Sequence, residues 1–291
     1  TARCSPQRLN MLAADAAALT DWQEVARVAE EHGLAPLFYS HCQAAGVDIP
    51  VAVRRQLQVL TLRQQGAQLI RAKALGEIFS TCKNEGVEII LLQGAALAWT
   101  VYPSPGLRSA SDFHLLTLPA KQEELKEILS NIGYGLTVGK EGTSGSRRLH
   151  TGLTKKQDGL PLTVMLWTAL TAPTRLGLDV DIVSVFKRGK SFMLADVPAL
   201  GLSPEDMLQQ TYYHLLGAPW KLIHHADFLG VAEWFADEID WREVGESHPG
   251  IVAALELLQR ISPLDEHLVD VASLPVSSQQ AHYGNDLSNA L

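Results

Sequence analysis

Residues 91–116 read LLQGAALAWTVYPSPGLRSASDFHLL, and their order decides the fold. The run from Val87 to Leu92 is short, unbroken and rich in branched residues, which is the pattern of a buried strand. It meets Gly94 at a turn, and the small residues Ala95 and Ala96 start a helix. A strand, a glycine turn and a helix start present backbone N–H groups to an anion, although the same turn also serves plain packing. A Pro/Gly loop then leads to Arg108, and DFHLLTL forms a second apolar strand entered by Asp112. The layout suits charged groups around a phosphate, yet Gln93 precedes the glycine and His114 stands two residues after the aspartate.

Outward from this segment the hydrophobic period changes twice. Residues 6–46 read as helices. Asp21 and Glu24 have capping-box spacing, and Gly33 ends that helix. From Val51 to Lys83 the residues Val53, Leu57, Leu60, Leu69, Leu75, Ile78 and Phe79 recur at three and four, which predicts one long helix ending near Gly86. After DFHLLTL, Pro119 opens a helix over AKQEELKEILSNIG, and YGLTVG, RLHTGLTK and LPLTVMLWTAL follow as extended segments. Beyond Leu202 the helical period returns, with Ser203 as N-cap and Pro204 at the first position. The expected class is α/β, more strictly α+β, with a small mixed sheet flanked by helices. The expected divisions are residues 1–85 helical, 86–200 the α/β unit, 201–270 helical and 271–291 a flexible tail. The aromatics Tyr212, Tyr213, Trp220, Phe228, Trp234 and Phe235 fall at helical spacing and are expected in the core, some of them lining an apolar pocket.

The composition narrows the function classes. The 291 residues carry a formal net charge of −8, which argues against nucleic-acid binding. The compact basic group Arg147, Arg148, Lys155 and Lys156 reads as a solvated hairpin. Cys4, Cys42 and Cys82 are too dispersed for a metal pair or a disulfide framework. No apolar run approaches the ~20 residues of a membrane span, and no signal-peptide succession is seen, so a cytoplasmic location with no membrane partner is expected. Gly-rich dinucleotide, Walker and His-Glu-x-x-His motifs are absent.

Read together, the turn at Gly94, YPSPGLR and the strand at Asp112 resemble the uncharacterised bacterial nucleotidyltransferase family of the polymerase-β-like superfamily. DWQEVARVAEEHGLAPLFYSH, LSPEDMLQQTYYHLL and HHADFLGVAEWFADEIDW resemble its N- and C-terminal helices, so the likeness runs from about Thr20 to Val244. The resemblance implies a Leu-Lys-Gly-Ala-Ala-Leu turn that holds a triphosphate, an Asp-x-Asp strand and a third carboxylate on a neighbouring strand. Two carboxylates at that spacing share a strand face and could hold paired Mg²⁺ ions. Against that pattern Gly94, Arg108 and Asp112 are kept. Gln93 stands at the Lys position, His114 at the second carboxylate, Val164 at the third, and Leu166 at a usual His. Imidazole is a poor substitute for a Mg²⁺ ligand and valine is none, so no metal site is expected.

The polar residues left are the candidates for other chemistry. Asp112 and His114 share a strand face, roughly 7 Å apart along the chain, and a carboxylate beside an imidazole suits acid–base work. They equally fit an ordinary ion pair. His150 lies on a strand the resemblance places near the pocket, and reads otherwise as a solvated hairpin residue. His224 and Asp227, at i and i+3, share a helix face and either bind a ligand or tie that helix to its neighbour. Asp112, His114 and His150 are thus the catalytic candidates, and Gln93, Gly94, Arg108, His224 and Asp227 the ligand-binding ones.

Three functions follow. The old nucleotide cleft could serve a metal-independent enzyme acting on a small molecule, as in a biosynthetic pathway, by acid–base or orientation catalysis. It could be a non-catalytic binding or scaffold protein. It could retain nucleotidyl transfer, and only then would it need Mg²⁺ and a nucleoside triphosphate; otherwise no cofactor is expected.

Overall fold

A computed structural model describes residues 2, 4–136, 150–170 and 180–274. Three short helices open the chain, α1 (Pro6–Ala18), α2 (Trp22–Glu31) and α3 (Ala35–Ala44), followed by α4 (Val51–Asn84). β1 (Ile90–Leu92) runs directly into α5 (Gln93–Thr100), and a 3-10 turn (Pro105–Leu107) precedes β2 (Asp112–Leu116). α6 (Gln122–Asn131), β3 (Gly135–Leu136), β4 (His150–Gln157) and β5 (Leu160–Trp167) follow. Then come α7 (Ile182–Arg188), β6 (Lys190–Leu194), β7 (Val197–Gly201), α8 (Pro204–Gly217), α9 (Leu222–Trp234), α10 (Trp241–Ser247), α11 (Pro249–Ile261) and α12 (Glu266–Val271).

The local signals act as their chemistry requires. Asp21 caps α2 by accepting from the Glu24 N–H at 3.0 Å, and Gly33 takes a left-handed φ of +72° after it. Ser203 caps α8 by accepting from the Asp206 N–H at 3.2 Å, with Pro204 at the first position. Pro119 opens a 3-10 turn (Pro119–Lys121) that leads into α6 rather than α6 itself.

The strands form one mixed sheet in the order β3-β4-β5-β2-β1-β7-β6. Alternation divides its side chains between two layers. Leu91, Phe113, Leu115, Leu153, Leu162, Val164 and Leu166 pack with α4 and α6. Ile90, Leu92 and Leu116 face the other way, into a core built with α8, α9 and α11. A third, smaller core joins α2, α3 and the start of α4.

Several sequence expectations change here. The β6–β7 hairpin and its parallel pairing to β1 through Ile90 and Leu200 are additions. Its turn uses Ala195 at φ +50° instead of Gly or Asn, and Pro198 lies inside β7, so both usual strand signals are missing. On α4, Leu69 is 75% exposed while its neighbour Gln68 is buried, so the apolar face does not run unbroken along the helix. Trp220 and Trp234 are exposed, not in the core.

The assignment of Val164 and Leu166 to the site is also corrected. β2 and β5 are parallel in register, with Asp112 beside Thr163 and His114 beside Met165. The β5 side chains on the Asp112 face are therefore Thr163, Met165 and Trp167, and Val164 and Leu166 belong to the opposite, apolar layer. Side chains one residue apart in a strand take opposite faces, so Val164 and Leu166 cannot point where Asp112 and His114 do.

Cys42 and Cys82 are buried free thiols, and burial pushes them up to about 11 and about 12, which leaves them inert at neutral pH. Arg147, Arg148 and residues 271–291, apart from 271–274, lie outside the described residues, whereas Lys155 pairs with Glu77 at 2.9 Å. Among the described residues no helix is long and apolar enough to cross a membrane.

Candidate functional site

The glycine turn is built around an arginine. A Cβ added at Gly94 would lie 2.8–2.9 Å from the Nη2, Cζ and Nη1 atoms of Arg108, so only glycine lets the guanidinium lie on this backbone. Arg108 donates from Nε to Asp227 Oδ1 at 2.8 Å and from Nη2 to Oδ2 at 2.7 Å, and its Nη1 meets the Ser109 carbonyl. The Tyr102 hydroxyl donates to the same Oδ1 at 2.8 Å. Both ions are withdrawn from water, Arg108 at 9% and Asp227 at 2% exposure. Burial opposes the charge on Arg108, but Asp227 outweighs it and holds the guanidinium above its ordinary value. The geometry thus joins Gly94, Arg108 and Asp227 to one another as a strut between the glycine turn, the loop before β2 and α9. Each of the three guanidinium nitrogens makes a hydrogen bond, two of them to Asp227.

Asp112 and His114 meet more closely than strand spacing alone suggests. Their side chains lean together, with His114 Nε2 and Asp112 Oδ2 at 3.0 Å. The other ring nitrogen, Nδ1, accepts from the indole Nε1–H of Trp167 at 2.9 Å, and the two rings lie nearly parallel at 5.7 Å. An indole nitrogen can only donate, so Nδ1 is the acceptor and Nε2 carries the proton given to Asp112. The chain Trp167–His114–Asp112 fixes a neutral tautomer and spends both nitrogens. The His114 hydrogen bond holds the Asp112 carboxyl below its usual range. Ser111 donates to Asp112 Oδ1 at 2.8 Å.

Trp167 links this chain to a cavity of about 390 Å³ between the sheet and the C-terminal helices. Leu92, Gln93, Trp167, Ala169, Leu170 and Val180 form one wall. α8 supplies Asp206, Gln209, Gln210, Tyr213, His214 and Gly217, and His224 comes from α9. The α8 set recurs at three and four and so forms one inward, polar face. Gln93 sits at φ +60°, a conformation branched and long side chains avoid. Its N–H donates to Gln210 Oε1 at 3.1 Å. Asp206 is buried and bound by Arg188 through two 2.6 Å hydrogen bonds. The His214 and His224 rings lie 5.7 Å apart. Burial, then His224, lowers His214 to about 4; burial likewise lowers His224.

Of the sequence candidates, the cavity gathers Gln93 and His224. Asp112 and His114 stand behind its Trp167 wall, and Gly94, Arg108 and Asp227 form the strut. The backbone of His150 pairs with Trp167 in β4, and its side chain lies outside the described residues. Tyr213, one of the aromatics expected to pack or line a pocket, does line it, whereas Trp167, Gln210 and His214 are not among the sequence candidates. The available signal was the polar stripe Asp206, Gln210, Tyr213 at spacings of four and three on a helix whose inward face would otherwise be apolar.

A family profile described as "Uncharacterised nucleotidyltransferase" matches residues 18–248. The chain belongs to that family. Solved structures similar to this nucleotidyltransferase-family chain include ANT(2")-Ia in complex with adenylyl-2"-tobramycin, at 12% identity and a TM-score of 0.40 over 58% of this chain and 91% of that one. They also include an antigenic nucleotidyltransferase-like protein from Paracoccidioides brasiliensis, at 13% identity and a TM-score of 0.45 over 71% of this chain and 94% of that one. No curated protein sequence matches this nucleotidyltransferase-family member.

Proposed function

We propose that this chain uses the cleft of a nucleotidyltransferase fold as a metal-independent site for an uncharged small molecule, in place of a nucleoside triphosphate. The observation that supports it is the charge of the cavity wall. Asp206 is the one Asp, Glu, Lys or Arg among the described lining residues, and Arg188 holds it through two hydrogen bonds. His214 and His224 are held neutral, and Arg108 is spent on Asp227. A triphosphate needs Arg, Lys or Mg²⁺ against its oxygens, and the described lining residues include no Arg or Lys. Magnesium fits no better, because it takes hard oxygen donors in octahedral array. Asp112 brings one carboxylate to this face, and the neighbouring β5 face carries Thr163, Met165 and Trp167 and adds no second one.

His114 then acts by orientation and not as a base, since neither ring nitrogen is left for a substrate. Asp112 orders His114, His114 orders Trp167, and the Trp167 ring forms the cavity wall. Thermal unfolding with ATP or GTP, with and without MgCl₂, tests the reading. No shift is expected. A Mg²⁺-dependent rise of several degrees, as a ligand near 100 times its Kd produces, overturns it.

A further inference from the structure

We propose that His214 and His224 are the hydrogen-bonding centre of this cavity, and that its ligand is an uncharged molecule with an aromatic body and a hydroxyl donor. The inference rests on the small-molecule reading above and adds the ligand's chemistry. The His224 Nδ1 is shielded from solvent and has no partner among the described residues. The His214 ring lines the same cavity, half-buried and 5.7 Å from the His224 ring, with no hydrogen bond among the described residues. A buried polar atom without a partner costs about 1–3 kcal/mol, so such atoms are retained where something else supplies the bond.

The surroundings define what that partner carries. His214 is faced by His224 and Asp227 of α9, by His114 of β2 and by Arg108 from the loop before it. Asp227 and Arg108 cancel, and two neutral imidazoles remain. Each neutral imidazole has one acceptor nitrogen and one N–H. Gln210 adds a donor, because its Oε1 is fixed by the Gln93 N–H and its Nε2 has no partner among the described residues. A hydroxyl both donates to an imidazole nitrogen and accepts from the Gln210 amide. A carboxylate or phosphate could only accept, and would meet buried Asp206 with no Arg or Lys among the described lining residues. The remaining wall, Leu92, Trp167, Leu170 and Val180, is apolar, which suits an aromatic ring.

The test compares 2-naphthol with its methyl ether, 2-methoxynaphthalene, by isothermal titration of the full chain. The two share a ring system and differ in the donor. The hydroxyl compound is expected to bind about tenfold more tightly, the worth of one net hydrogen bond. His214→Phe with His224→Phe is expected to abolish that preference while the ether still binds, and His214→Gln, which keeps an acceptor, to retain part of it. Far-UV circular dichroism and binding of the ether confirm that the variants fold. Equal affinities in the unsubstituted chain, or a preference that survives the double substitution, overturn this inference alone. Binding of neither probe sinks the small-molecule reading as well.

Discussion

Gly94→Ala separates a structural glycine from a phosphate-binding one. The new methyl would sit 2.8–2.9 Å from three guanidinium atoms of Arg108, well inside van der Waals contact. A flexible side chain would normally swing aside, but this one is held at three nitrogens, two of them on Asp227. If the guanidinium shifts in place, overpacking costs about 1–3 kcal/mol. If it releases Asp227, two buried ions lose their partners and the cost rises to about 3–5 kcal/mol. A second background sharpens the measurement. Tyr102→Phe, Arg108→Leu and Asp227→Leu together remove the whole network, and leucine lacks the Cζ and Nη atoms that the methyl meets. There, Gly94→Ala should be neutral or stabilising by up to about 1 kcal/mol, because Gly94 lies in α5 and alanine is the better helix former. Urea unfolding in both backgrounds reads the sign. An equal cost in both, or no cost in the unsubstituted chain, would refute the strut.

Three further outcomes are expected. Trp167→Phe keeps the ring but removes the N–H given to His114, so it should lower the unfolding free energy by about 1 kcal/mol; an unchanged urea midpoint would contradict the relay. Gln93→Gly relieves a left-handed residue and should be neutral or stabilising by up to about 1 kcal/mol, whereas Gln93→Val should destabilise, both read from melting temperatures. Acid should weaken the fold through His214, whose folded value of about 4 lies below the ordinary 6.5. The unfolded chain takes the proton first, so stability falls as pH drops below about 6.5 and levels off under about 4, with about 2 kcal/mol lost by pH 5. His224 and His225, lowered by burial, act in the same sense, and His214→Gln should flatten the melting temperature between pH 7.5 and 5.

The architecture was readable where one local rule sufficed. Asp21, Gly33, Ser203 and Pro204 bound helices by chemistry confined to a turn, and of the apolar run VEIILL the second half, Ile90–Leu92, forms the buried strand, while residues 87–89 lead into it outside the ladder. The β6–β7 hairpin was hidden because Ala195 and Pro198 occupy positions where the usual signals are Gly, Asn and β-branched residues. Site residues were harder, since their roles depend on partners far along the chain. Nothing local to YPSPGLR says that Arg108 faces Asp227, 119 residues later, instead of a ligand. The i, i+3 spacing of His224 and Asp227 put them on one face of α9, but their surroundings divide them. Asp227 lies 2% exposed against Arg108, and His224 opens to the cavity. Strand alternation also sends neighbouring residues to opposite faces, and Val164 and Leu166 lie on the one away from Asp112.

During synthesis the segment from Leu91 to Leu116 emerges long before Asp227 exists. For that interval Arg108 is a solvated cation beside an open glycine turn, with no carboxylate to close on. Docking of α9 discharges it, and because the contact spans more than a hundred residues it must form late. Loss of the C-terminal helices would therefore do more than shorten the chain. It would leave Arg108 beside the glycine turn without the carboxylate that neutralises it.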